Sequence, residues 1–142
     1  MSLNKIFISS DHAGFKLKKS IIKKFSKNQK FVDLGPESNK SVDYPDYAHK
    51  LSKKVSSNSR NFGILVCGSG TGMAISANKN KKIRAALCYS IKNTKLSRLH
   101  NNANIITLGE RLINKNKAIN LIKVFLRTKF EGGRHLRRVR KI

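Results

Sequence analysis

Phe62-Gly63-Ile64-Leu65-Val66-Cys67-Gly68-Ser69-Gly70-Thr71-Gly72-Met73-Ala74-Ile75-Ser76-Ala77 is the stretch, residues 62–77, that decides the fold. Its apolar core, Ile64 to Val66, has the length of a strand buried on both faces, which is the habit of parallel sheets. The strand ends in a thiol, Cys67, and three glycines follow at alternate positions before small residues open a helix. A turn from such a strand into its helix lies at the carboxyl edge of the sheet, where open α/β folds place their ligands. Gly68, Gly70 and Gly72 leave backbone N–H groups uncovered beside the positive end of a helix, a setting for a phosphate or for an oxyanion formed in a reaction. Cys67 beside that field should have its thiolate stabilised, so it can serve as a base or nucleophile.

Outward from this stretch the pattern repeats. Lys5 to Ser9 reads as a first strand ending at Ser10-Asp11-His12, and a helix with Leu17, Ile21 and Phe25 on one face follows from Ala13-Gly14. Phe31 to Leu34 reads as a second strand, stopped by Gly35-Pro36. A polar loop then leads to a helix from Asp46 to about Ser57. Ile83 to Cys88 makes a fourth strand, with a helix through Ile91, Leu96 and Leu99 to His100-Asn101; Ala103 to Gly109 makes a fifth. A long helix over about 116–128 is broken at Glu131-Gly132-Gly133, leaving a basic tail with Leu136 and Val139 three apart. Strands alternating with helices predict a three-layer αβα sandwich around a five-stranded parallel, Rossmann-like sheet, in one domain over residues 1–142. If Asp11-His12 and Cys67-Gly68 share a site, strands one and three must be neighbours.

Composition sets the outer limits. The chain has 142 residues, enough for a real hydrophobic core, and no apolar run approaches the length of a membrane span. A strand pattern directly after Met1 to Asn4 argues against a leader, and two unpaired-looking cysteines suggest a reducing, cytoplasmic setting. The net charge is +24, from 31 basic and 7 acidic residues, which by itself suggests nucleic acid. The lysines are spread along the whole chain without a discrete basic arm, and they travel with many asparagines and isoleucines, as AT-rich coding would give. Nucleic-acid binding as the main function is therefore the lesser reading.

The glycine loop is no nucleotide fingerprint. Met73 stands where a dinucleotide motif needs its third glycine, no acidic residue occurs between Asp46 and Glu110, and the Gly-Lys-Ser/Thr of a P-loop is absent. No cofactor is implied. Metal binding is not expected either, since His and Cys fall one per element without paired-ligand spacing. Cys88 reads as a buried structural cysteine, and His49, in a lysine-rich helix, as solvent-facing. Arg134 and Arg138, four apart, would share a helix face and could grip one phosphate. Arg111, just after strand five, is a further cation at the carboxyl edge.

Taken in order, Ser10-Asp11-His12-Ala13-Gly14, Asp43-Tyr44-Pro45-Asp46-Tyr47-Ala48, Cys67-Gly68-Ser69-Gly70-Thr71-Gly72-Met73 with Ala77-Asn78-Lys79, His100-Asn101 with Ala103-Asn104, Leu108-Gly109-Glu110-Arg111 and Phe130-Glu131-Gly132-Gly133-Arg134-His135 resemble the ribose-5-phosphate isomerase B family, which includes allose- and galactose-6-phosphate isomerases. The resemblance implies reversible aldose–ketose isomerisation of ribose 5-phosphate and ribulose 5-phosphate through an enediolate, without cofactor or metal. The same chemistry on a six-carbon phosphate is the alternative.

Position by position, Cys67 matches the base that moves a proton between C1 and C2. Family members without this cysteine use a glutamate in the following loop, where this chain has Thr71 and Met73. Gly68, Ser69, Gly70, Thr71 and Gly72 match the loop that binds the enediolate oxygens, and His100 matches the group that opens the sugar ring, assisted by Asp11. His12, Asn101, Arg111, Arg134 and Arg138 match the substrate and phosphate contacts, with the tail 132–142 contributing. The family implies a homodimer, or a higher oligomer, with His100 reaching across from a second subunit. Asn102 departs from the usual Asp and removes a charge near His100.

Overall fold

The computed structural model describes residues 5–142; the start that carried the no-leader expectation, Met1 to Asn4, lies outside them. The five strands are β1 (Ile6–Ser10), β2 (Phe31–Asp33), β3 (Phe62–Cys67), β4 (Ala85–Leu87) and β5 (Ile105–Gly109). All pair in parallel, in the order β2-β1-β3-β5-β4. β1 and β3 are neighbours, with Ser10 level with Val66, as a shared site for Asp11 and Cys67 requires. β3 and β5 bring Cys67 level with Gly109. The sheet order reverses between β1 and β3, the kind of switch point at which such sheets bind ligands.

Helices α1 (Phe15–Phe25), α2 (Tyr44–Ser56), α3 (Thr71–Ala77), α4 (Ile91–Leu99), α5 (Lys115–Arg127) and α6 (Arg134–Val139) complete the chain. Alternation along the central strands sends successive side chains to opposite layers. Ile8, Ile64, Val66, Ile106 and Leu108 pack with Leu17 and Ile21 of α1 and Leu121, Ile122 and Phe125 of α5. Phe7, Leu65, Cys67 and Ile105 face the other way, onto Leu51 and Val55 of α2 and Met73 and Ala77 of α3. The thiol of Cys67 therefore lies on the α2–α3 side, beneath the start of α3.

Several boundaries differ from the sequence expectation. β2 and β4 are three residues each, shorter than their apolar patterns. Cys88 lies beyond β4 and is buried, its amide donating to the Thr107 carbonyl. α2 begins at Tyr44 because Pro45 fits a first helical turn, whose N–H groups have no intrahelical partner. No helix among the described residues is long and apolar enough to cross a membrane.

Candidate active site

At the carboxyl edge the chain brings the ends of β1, β3 and β5 together through their backbones. The Asp11 amide donates to the Val66 carbonyl at 3.1 Å, the Glu110 amide to Cys67 at 2.8 Å and the Arg111 amide to Gly68 at 3.0 Å. Gly14 is pressed so closely on Val66 that no β-carbon would fit there, which seats the start of α1 against β3. Asp11, Cys67 and Arg111 are thereby fixed around one spot.

Cys67 is 5% exposed, and its sulfur accepts a hydrogen bond from the Gly70 amide at 3.1 Å. That amide points inward because Gly70 is left-handed, φ 77°, a conformation open to glycine at little cost. The guanidinium of Arg111 lies on the α-carbon of Gly68, and the ring of Tyr44 lies on Gly72. The glycines are thus walled by a cation on one side and an aromatic on the other. A side chain at either position would displace its neighbour.

Asp11 is buried and its Oδ1 accepts from the Gly14 amide at 2.9 Å, as a capping carboxylate does. Its other oxygen has no protein partner among the described residues, so capping and ligand binding are compatible. His12 is exposed, and its Nδ1 accepts from the Val42 amide at 3.2 Å. With Nδ1 an acceptor, the neutral ring carries its proton on Nε2, which no hydrogen bond among the described residues uses.

His100, Asn101, Arg134 and Arg138 are elsewhere. His100 caps the carboxyl end of α4. Four residues later the Asn104 carbonyl accepts from Gly63 at the amino end of β3. Cys67 and His100 are thus separated by the length of β3, roughly 16 Å at the strand rise. Beside His100 the Glu131 amide donates to Leu99, and the His135 ring of α6 stacks on His100 with centroids 4.1 Å apart. Burial, reinforced by His100 and by Arg134 and Arg138 against Glu131, holds the His135 imidazole below its ordinary value of 6.5. Asn102, left-handed at φ 48°, turns its side-chain carbonyl to Arg98 at 3.0 Å.

No ligand spacing in the sequence signals a metal, yet the fold gathers donor atoms of His100, Glu131 and His135 within 4.8 Å of one another. The two imidazoles are stacked almost parallel, 13° apart, so their lone pairs run side by side instead of converging on one ion, and Arg134 and Arg138 flank the group. Rings stacked in this way are not the arrangement of a tetrahedral centre. No spacing in the sequence marks Glu131, His135 or Tyr44 as site residues, though all three lie inside the stretches that carry the resemblance. Cys88 is as expected: buried, with its thiol raised by burial, partly offset by Thr94 and Ser97. His49 is exposed.

A parallel αβα sheet with a thiol under a glycine loop, a carboxylate and an arginine at its carboxyl edge defines an enzyme of small anionic substrates. The chain belongs to the ribose/galactose isomerase family, whose profile matches residues 6–142. It is 47% identical, over 100% of its length and 95% of the relative's, to a probable ribose-5-phosphate isomerase B of Mycoplasma genitalium. It is 36% identical to the ribose-5-phosphate isomerase B of Escherichia coli, over 99% of this chain and 95% of that one. The crystal structure of the Mycoplasma genitalium ribose-5-phosphate isomerase B with bound ribulose-5-phosphate superposes with a TM-score of 0.94 at 43% identity, covering 99% of this chain and 95% of the other.

Proposed function

We propose that this chain is a ribose-5-phosphate isomerase that interconverts D-ribose 5-phosphate and D-ribulose 5-phosphate, with Cys67 as the base. The observation that carries the assignment of the base is the Gly70 N–H donated to the Cys67 sulfur at 3.1 Å. The sulfur is held as an acceptor, the role a base needs, next to amides that can receive a developing oxyanion.

The cycle follows from the chemistry of an aldose. His100 of the partner subunit, with Asp11, opens the furanose ring by moving the proton between O1 and the ring oxygen. Cys67 takes the proton from C2, and the electron pair left behind makes the C1–C2 double bond as charge moves onto O1. The loop Gly68 to Gly72 holds the enediolate oxygens. A proton passes from the C2 hydroxyl to O1, the thiol returns its proton to C1, and the electron pair on O2 closes the carbonyl at C2. His12 and Arg111 from one subunit, with Asn101, Arg134 and Arg138 from the other, hold the phosphate and hydroxyls. This fixes the chain far from the reacting carbons and supplies orientation.

Because the two halves stand at opposite ends of one sheet, a complete site needs two copies of the domain. Ile75, Tyr89, Ile91 and Leu112 support such a pairing. They are large, apolar and exposed, on the segments after β3, β4 and β5.

Replacing Cys67 with Ala tests the reading. Turnover should fall by about 10²–10⁴-fold, the ordinary contribution of a positioned base, while phosphate still binds. In heavy water the wild type should wash solvent deuterium into the product next to the carbonyl. Retention of a tenth of the wild-type rate would place the base elsewhere.

A further inference from the structure

Twenty-two lysines spread along a sequence say little, but the fold sorts them. α1 and α5, some ninety residues apart in the chain, lie side by side on one face of the sheet. Neither contains an acidic residue, and none occurs between Asp11 and Asp33 or between Glu110 and Glu131. Between the two helices runs a groove of about 560 Å³, lined by Lys23, Lys24, Lys27 and Lys115 with neutral Ser20, Ser26 and Asn116. A second cleft of about 280 Å³ continues it past Ser20 and Lys115 to Lys16, with Glu110 the single carboxylate at its far end.

Lys16, Ser20 and Lys23 stand at i, i+4 and i+7 of α1, one stripe of one helical face, and Lys27 follows in the turn just beyond the helix. The helical stripe is about 10 Å long at 1.5 Å per residue. A nucleic-acid strand places a phosphate about every 3.4 Å along its axis, so the helical stripe faces about three of them. Among the described residues the large exposed apolar ones are Val32, Tyr44, Ile75, Tyr89, Ile91, Leu96, Leu112, Leu136 and Ile142, none of them on α1 or α5. An anionic membrane surface would want such residues to insert, and an acidic protein would want an apolar centre to dock on. With ammonium groups and hydroxyls but no aromatic platform, the face suits a repeating phosphodiester and reads no bases.

We infer that the α1–α5 groove is a sequence-independent binding face for the sugar–phosphate backbone of nucleic acid, separate from the sugar-phosphate site at the carboxyl edge. It binds by counterion release, so affinity falls steeply with salt.

Two charge-matched variants test it by fluorescence anisotropy on a labelled 20-base-pair duplex of random sequence. One carries Lys16→Gln, Lys23→Gln, Lys27→Gln and Lys115→Gln. The other carries Lys53→Gln, Lys54→Gln, Lys79→Gln and Lys81→Gln, exposed lysines of the opposite layer. The groove variant should lose at least ~10-fold in affinity at 100 mM salt and flatten the log–log salt slope by about 3 to 4, at 0.9 per lost phosphate contact. The control should change the slope by less than about 1. Both should keep the wild-type isomerase rate and melting temperature, which separates this face from the catalytic reading; the paired changes at Lys23 and Lys27 alone give an intermediate step if the full set disturbs folding. Equal loss in both variants would reduce the effect to net charge and overturn the inference. So would phosphatidylglycerol vesicles captured at the same salt and released by the groove substitutions alone. Single-stranded RNA of equal length, run alongside, should bind with a shallower slope than the duplex, as expected for a backbone-only contact.

Discussion

Cys67 and His100 stand at opposite ends of β3, one below the glycine loop at the carboxyl edge and the other at the carboxyl end of α4, beside the amino edge. No rotamer change closes roughly 16 Å of strand. The isomerase reading assigns both residues to one reaction, so it requires them to come from different copies of the chain.

That requirement can be measured by mixing two dead enzymes. Cys67→Ala and His100→Asn should each lack turnover as pure species. When the two are unfolded together and refolded, half of the dimers should be mixed. Each mixed dimer has one site with both substitutions and one with neither, so about a quarter of the wild-type rate should return. A mixture that stays inactive, with mixed dimers verified by mass spectrometry, would show that the two residues do not share a site.

Gly70 joins fold and chemistry at one α-carbon. An added methyl group would force an L-residue into φ 77° and would meet Leu87 Cδ1 at 2.6 Å and the Leu108–Gly109 backbone at 3.0–3.2 Å. Gly70→Ala should therefore cost about 2 kcal/mol or more of stability. The displaced amide should also lower kcat, because the donor to Cys67 moves. Calorimetry and steady-state kinetics on the same preparation separate the two effects. A variant with wild-type melting and kcat would show that the Gly70 amide has no part in either.

Much of this was legible from residue patterns. The buried run Ile64 to Val66, ending in Cys67, announced a parallel sheet, and the demand that Asp11 meet Cys67 gave the β1–β3 adjacency. What could not be read was the position of each helix end across the layers. His100 and His135 are 35 residues apart and follow no ligand spacing. They stack only because the Glu131 amide turns back onto Leu99 and delivers α6 to the end of α4. The short β2 and β4 had apolar patterns longer than their ladders, since side-chain burial continues past the last backbone pair, as at Ile83 and Cys88. The lysine-lined groove was invisible for the same reason as the histidine stack: its two helices meet only in the folded chain.

His135 gives stability a pH signature. Its buried ring, next to His100, Arg134 and Arg138 and opposed by Glu131, titrates below 6.5 in the folded state. The unfolded chain then binds more protons between those two values, so stability is fully present above pH 6.5 and falls as pH drops below it. The fall levels off under the folded-state value. Urea midpoints at pH 8 and pH 5.5 should differ in the wild type, and His135→Gln should shrink the difference. An undiminished difference would assign the acid sensitivity to another group.

Asn102 sets up the sharpest stability test. Arg98 is 6% exposed, lies over the rings of Phe62 and Phe125 and donates to the carbonyls of Thr128 and Ala103 and to Asn102 Oδ1. The Arg84 Nε donates to the backbone carbonyl of the same Asn102 at 2.8 Å. Among the described residues no carboxylate pairs with either guanidinium, and burial together with Arg84 lowers the affinity of Arg98 for its proton. Asn102→Asp keeps the side-chain shape and tolerates φ 48° about as well, because Asp shares the left-handed preference of Asn. It turns a neutral acceptor into a charged one between two cations. The variant should be more stable by about 1 kcal/mol near neutral pH. Its carboxyl should titrate below the unfolded value, so the gain should persist above about pH 4 and disappear as acid protonates it. Denaturant midpoints at pH 7 and pH 3 decide it. Lower stability than wild type at pH 7 would mean that desolvating the new carboxylate outweighs its pairing with Arg98.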